Sequence, residues 1–340
     1  MARKVGEQTV YFDNKITIAE VSSAVGPMEG NGPLGKDFDL VFEDDCLGES
    51  TFEKGECMML RKCVENLLRK GKFTQSDIDL IIGGDLLNQI ITTTFAAENF
   101  DMMYWGVYSA CSSFSEALQI ASTAIEAGVV KRAVACSSSH FSTAERQYRN
   151  PLELGSQSKA TAQRTATASG AVVLQAGGSG PVITGMTIGK IIDFDRKDAA
   201  DMGTAMAPAA AHTILTHFKD TNTSFADYDM VYTGDLAKVG LGILSDMLKM
   251  HGYDPSGRLN DCGHMLFDCV KQHADCGGSG AGCSSSVFCG HIFPKLKNKE
   301  LGRILFVPTG ALLSTVSSYQ KNSIPCIAHA VVIENKKDKK

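Results

Sequence analysis

The thiol of Cys111 is the side chain best placed to do chemistry. It stands in Ala110-Cys111-Ser112-Ser113, between an apolar segment and a run with helical spacing. A cysteine at the first turn of a helix faces unpaired backbone N–H groups and the positive end of the helix dipole, which favours the thiolate and hence a nucleophile. Cys283 holds the matching station later, after the glycine-rich Gly277-Gly278-Ser279-Gly280-Ala281-Gly282. That run lacks the Gly-Lys-Ser/Thr ending of a phosphate-binding loop, so tight turning at a helix start is the better reading. Asp85 and Asp235 each end an apolar strand in Gly-Asp-Leu, where α/β sheets hold ligands, although either could simply cap a turn. His140 follows Ser137-Ser138-Ser139 at another strand end and could line a pocket; His264 and His329 have less informative settings, and a lone histidine is more often structural than catalytic. Cys262, Cys269, Cys276 and Cys283 recur at every seventh residue without any C-x-x-C, so no metal site is expected.

The elements that must position these groups occur twice. Asp79-Leu80-Ile81-Ile82-Gly83-Gly84-Asp85-Leu86, then Ala110-Cys111-Ser112-Ser113, then Lys131-Arg132-Ala133-Val134-Ala135-Cys136 form one copy. Asp229-Met230-Val231-Tyr232-Thr233-Gly234-Asp235-Leu236, then Gly282-Cys283-Ser284-Ser285, then Gly302-Arg303-Ile304-Leu305-Phe306-Val307 form the other. Three elements in the same order imply two related halves, with functional sites where the halves meet. Cys57, Leu60, Val64, Leu67 and Leu68 predict a helix stopping at Gly71, and a second helix over 112–127 is expected to end at Gly128. The polar stretch 140–168 reads as a long excursion from the core, Gly177-Gly178-Ser179-Gly180 as the joint, and 183–192 as the start of the second half.

Composition bounds the rest. A chain of 340 residues is long for one core and suits two domains or one pseudo-symmetric unit. Its net charge of −5 gives no support for nucleic-acid binding. No apolar run is long enough to span a membrane, and the N-terminus lacks the apolar centre of a signal peptide, so cytoplasmic synthesis is expected. Eleven cysteines, an odd number, suit free thiols in a reducing compartment. The basic tail around Lys336 and Lys340 is read as a solvated end.

The duplicated halves and the cysteine-led helix resemble the thiolase superfamily. The match is carried by Ala110-Cys111-Ser112-Ser113, by Ser169-Gly170-Ala171-Val172-Val173-Leu174 and by Ile324-Pro325-Cys326-Ile327-Ala328-His329-Ala330. It implies an α/β, thiolase-like fold with two pseudo-symmetric halves in a five-layered αβαβα architecture: residues 1–178, including the excursion 140–168, and residues 179–340 with the short basic tail. It also implies a nucleophilic cysteine at Cys111 and places Cys326 at the family's acid/base cysteine, with the surrounding glycines replaced. The enzymes of that superfamily carry a catalytic histidine before the second-half helix, whereas 277–285 has none. A nucleophile without a base is poorly equipped for acyl transfer.

One branch of the superfamily, the stage V sporulation protein AD family, is similar along nearly the whole chain. Ala24-Val25-Gly26-Pro27-Met28-Glu29-Gly30, Gly84-Asp85-Leu86-Leu87-Asn88-Gln89, Thr143-Ala144-Glu145-Arg146-Gln147, Asp201-Met202-Gly203-Thr204 and Asn260-Asp261-Cys262-Gly263 carry that resemblance. It implies a soluble component of the spore's dipicolinic acid channel, peripheral at the inner spore membrane, binding dipicolinate or its calcium complex beside other channel proteins. The superfamily further implies a homodimer. No catalytic residue and no cofactor is then expected, apart from calcium accompanying the ligand. The resemblance places Asp85, Cys111 and the strand end Ser137–His140 near the pocket. Chemistry adds hydroxyl and N–H donors at Ser112, Ser137 and Ser138 and cations at Arg146 and Arg149, because a flat dianion needs donors for its carboxylates and apolar walls for its ring. The alternative is an acyltransferase with Cys111 as nucleophile; a third reading is a scaffold with a vestigial cleft.

Overall fold

The computed structural model describes residues 2–149, 151–154 and 159–335; the lysines of the tail lie outside them. The main sheet path uses ten strands: β1 (Thr9–Val25), β2 (Leu80–Gly84), β3 (Met103–Gly106), β4 (Arg132–Ser139), β5 (Ala168–Ala176), β6 (Val182–Thr187), β7 (Met230–Thr233), β8 (Leu259–Asp261), β9 (Arg303–Val307) and β10 (Ala330–Glu334). The helices that matter to the site are α1 (Phe52–Gly71), α2 (Ser113–Glu126), α3 (Phe141–Tyr148), α4 (Met202–Thr221), α5 (Ala237–Met250) and α6 (Ala281–Val287).

Strand order shows the duplication. In β1-β5-β4-β2-β3 the first two pairings are antiparallel and the next two parallel. The series β6-β10-β9-β7-β8 repeats that pattern of directions. The two sets are joined by antiparallel pairing of β1 with β6 over Thr9–Thr17.

Alternation along the strands builds the layers, because successive side chains leave opposite faces of a sheet. Ile81, Val134, Cys136, Ala171 and Val173 point outward onto Met59, Leu60, Val64 and Leu67 of α1. Their neighbours Leu80, Ile82, Ala133, Ala135, Val172 and Leu174 point inward, onto Phe114 and Leu118 of α2 and Cys283 and Val287 of α6. From the second half, Tyr232, Ile304, Phe306, Val331 and Ile333 join the same central cluster. Val231, Leu305, Val307 and Val332 face away from it, onto α4 and α5. The result is α1, sheet, α2 with α6, sheet, α4 with α5: five layers. All seven residues of α6 are buried, as a helix enclosed on every side requires.

Local details depart from the pattern read in the sequence. α1 runs through Gly71, and the left-handed residue that ends it is Lys72, with φ 56°. Gly71 is needed instead because a Cβ there would lie 2.5 Å from the Phe73 ring. Gly128 does take the left-handed φ of 71° expected after α2. The stretch 140–168 is not an excursion throughout: it contains α3, and Arg164–Thr165 pairs in parallel with Gly278–Ser279 of the second half.

Candidate functional site

Where the strand ends of the two halves face each other, a narrow cavity opens. Cys111 reaches it from a 3-10 turn, Ala110–Ser112, that precedes α2. Ala110 has φ 51°, a conformation costly for a residue with a Cβ and retained here by close packing from the other half. That packing comes from the strand Thr309–Ala311, where a Cβ on Gly310 would lie 2.0 Å from the Ser109 carbonyl. The Ser112 hydroxyl donates to the Pro308 carbonyl at 2.9 Å, pinning the turn to the same strand.

The Cys111 thiol lies 3.7 Å from the Ser279 hydroxyl and beside the Gly280 N–H. Burial pushes the thiol up to about 12, and the Asp235 carboxyl adds to this. The helix-start argument for a thiolate is therefore overturned: desolvation outweighs the dipole. Asp235 is itself fully buried, and burial together with the Asp261 carboxyl raises its pKa well above the ordinary value.

Several expected site residues turn away from the cavity. Asp85 is fully buried; its carboxylate accepts from the Leu87 N–H at 2.8 Å, the Thr93 N–H at 2.7 Å and the Thr93 hydroxyl at 2.7 Å. It organises the loop after β2, and its neighbour Leu86 lines the cavity instead. The Ser137 hydroxyl donates to the Ala281 carbonyl at 2.7 Å, locking α6 to β4. The Ser138 hydroxyl donates to Glu56 at 3.0 Å. His140 caps α3: its Nδ1 accepts from the Ser142 N–H, its Nε2 meets the Asp45 carbonyl at 3.0 Å, and burial lowers its pKa. Cys326 is buried in a strand paired with Thr309–Ala311, and burial raises its thiol to about 12; its partner Ala311 lines the cavity in its place. His264 opens onto a separate surface hollow beside Lys238 and Ser256.

Of the two arginines, the structure selects Arg149. Arg146 pairs with Glu53 at the surface. Arg149, one residue past α3, lines the cavity; it bonds Glu145 at 2.7 Å and the Gln163 carbonyl at 3.1 Å, while its Nε has no partner. Thr165 and Ser279, neighbours through the short pairing between the halves, add hydroxyls to the wall. Tyr108 and Tyr148 complete it, their hydroxyls 3.2 Å apart. The sequence gives no signal for these four, because the contacts that gather them cross between distant segments. Among the described residues, the cavity wall carries one cation and no carboxylate or imidazole. No cluster of three His, Cys, Asp or Glu side chains is arranged to hold a metal among them.

Residues 6–334 match the profile of the family described as stage V sporulation protein AD. The chain belongs to the stage V sporulation protein AD family. Its relative of that name from Bacillus subtilis (strain 168) is 42% identical over 329 residues, covering 97% of each chain. The family's fold is shared with condensing enzymes. The 3-oxoacyl-[acyl-carrier-protein] synthase III of Aquifex aeolicus VF5 superposes with a TM-score of 0.58 at 14% identity, covering 94% of this chain and 100% of the synthase. A Xanthomonas campestris OleA variant bound with cerulenin gives 0.62 at 16%, covering 96% and 98%. At such identities the likeness speaks for the thiolase-like fold alone. Among the described residues of this stage V sporulation protein AD member, no helix is long and apolar enough to cross a membrane.

Proposed function

We propose that the protein binds dipicolinate, free or as its calcium complex, as a non-enzymatic component of the spore's dipicolinic acid channel. In this reading it is made in the cytoplasm, sits peripherally at the inner spore membrane beside other channel proteins and forms a homodimer. The observation that carries the reading is the chemistry of the cavity wall. The Arg149 guanidinium stands in the wall with its Nε unpartnered, Thr165 and Ser279 offer hydroxyls, and Leu86, Ala144 and Met202 offer apolar surface for a ring. Asp85 faces away and Cys111 carries a proton, so neither repels a dianion. Membership of a sporulation family supports the same assignment.

Calorimetric titration with dipicolinate, with and without calcium, tests this. Saturable binding is expected, weakened by roughly tenfold or more in Arg149→Gln through loss of a charge-assisted hydrogen bond. Isophthalate, which lacks the ring nitrogen, serves as the control. Absence of heat under every condition would overturn the reading.

The rival is acyl transfer at Cys111, favoured by the Gly280 N–H beside its sulfur, a contact that favours the thiolate form. Against it stand a protonated thiol and a wall without imidazole. Intact mass after incubation with acetyl-CoA decides: a Cys111 adduct would establish the rival.

A further inference from the structure

Outside the inner cavity lies a second, open space of about 1200 Å³, lined by Asn88, Gln89, Gly106, Ser314 and Ser317. Tyr108, Tyr148 and Leu313 line both spaces and so form the partition between them. The partition is latched by hydrogen bonds rather than by packing alone. The Tyr148 hydroxyl donates to the Leu86 carbonyl, which leaves its oxygen to accept from Tyr108. One residue earlier, Gln147 donates to the same Leu86 carbonyl at 3.1 Å and accepts from the Asn88 N–H at 3.3 Å. The last turn of α3 is thereby tied to the loop after β2. That loop holds two consecutive left-handed residues, Gln89 at φ 56° and Ile90 at φ 48°, so its closed shape is costly and depends on these ties and on Asp85. Arg149 follows Tyr148 directly and leaves the helix at φ −126°, ψ −88°.

We propose that Tyr148 and Tyr108 form a gate between the outer space and the inner cavity, and that opening it swings the last turn of α3 and carries Arg149 with it. Passage of a dicarboxylate and its capture by the cation are then one motion, in which a ligand carboxylate replaces Glu145 on Arg149. This rests on the dicarboxylate reading for its ligand, but the gate itself controls access to Cys111 for any solute.

Two measurements separate the two ideas. The first is the rate at which iodoacetamide alkylates Cys111, followed by peptide mass spectrometry, with the fully buried Cys283 as an internal reference. Tyr148→Phe keeps the ring and removes the latch hydroxyl, and is expected to speed alkylation of Cys111 by roughly tenfold without speeding that of Cys283. Tyr108→Ala should speed it further. An unchanged Cys111 rate in both variants would overturn the gate, whether or not dipicolinate binds; a rise shared by Cys283 would also overturn it, by showing loosened structure instead. The second is stopped-flow binding of dipicolinate, where Tyr148→Phe should raise association and dissociation rates together. A change confined to dissociation would make Tyr148 a ligand contact and overturn its role as a gate.

Discussion

Glu56, a buried carboxyl on α1, accepts from the Ser138 hydroxyl at 3.0 Å and the Thr143 hydroxyl at 3.0 Å. It thereby joins the end of β4 to the start of α3, the helix that carries Tyr148. Burial, with the Asp85 charge adding to it, raises its pKa from 4.5 to about 8. The folded state therefore holds this proton more tightly than the unfolded chain. The stabilisation is complete below pH 4.5 and is lost as pH rises through about 8, at about 1.4 kcal/mol per pH unit for one proton. Glu29, raised to about 7 by burial, contributes in the same direction. Glu56→Gln removes the titration while keeping an acceptor for one hydroxyl. Its Tm is expected to match the parent near pH 5 and to exceed it near pH 8; parallel Tm curves for the two proteins across that range would show that Glu56 ionises freely.

At the scale of elements, the decisive contact is the start of α6 against β5. A Cβ on Gly282 would lie 2.0 Å from the Ala168 carbonyl and 2.9 Å from the Ser139 N–H, both backbone atoms of the first half. Backbone cannot step aside as a flexible side chain can, so Gly282→Ala is expected to cost about 3 kcal/mol or more of stability in urea unfolding. Gly128→Ala is the contrast. A Cβ there meets nothing, and only the left-handed φ of 71° is paid for, so about 1 kcal/mol is expected. Equal losses in the two variants would mean that α6 can back away from β5. The same closeness explains why Ser137 bonds α6 rather than a ligand: at this separation its hydroxyl reaches the Ala281 carbonyl first.

For the whole molecule, the edge strand β3 exposes Met103 and Trp105, and Phe95 stands exposed nearby in sequence. An unpaired, apolar edge is a template for another strand. The proposed homodimer would cover it by pairing β3 with its copy across a two-fold axis. Trp105→Lys is expected to shift sedimentation from dimer to monomer; a dimer that survives the substitution would place the interface elsewhere.

The sequence by itself determined the duplication, the thiolase-like halves and the strand-end station of Cys111, because these rest on local patterns: apolar strands, a helix start and their repetition in order. Alternation within each strand then dictated which residues face the shared centre. Only the tertiary structure decided which groups reach the cavity. Asp85 and Ser112 each sit next to a cavity residue and Cys326 is paired with one, whereas Ser137 and Ser138 stand on β4; all five are consumed, Ser138 by the Glu56 carboxyl and the others by backbone groups. Tyr108, Tyr148, Thr165 and Ser279 come together through contacts between segments far apart in the chain, and Arg149 is distinguished from Arg146 by lying three residues further on, where the chain leaves α3. Protonation of Cys111 was settled the same way, since desolvation depends on what packs around a thiol and a helix start alone fixes only the dipole.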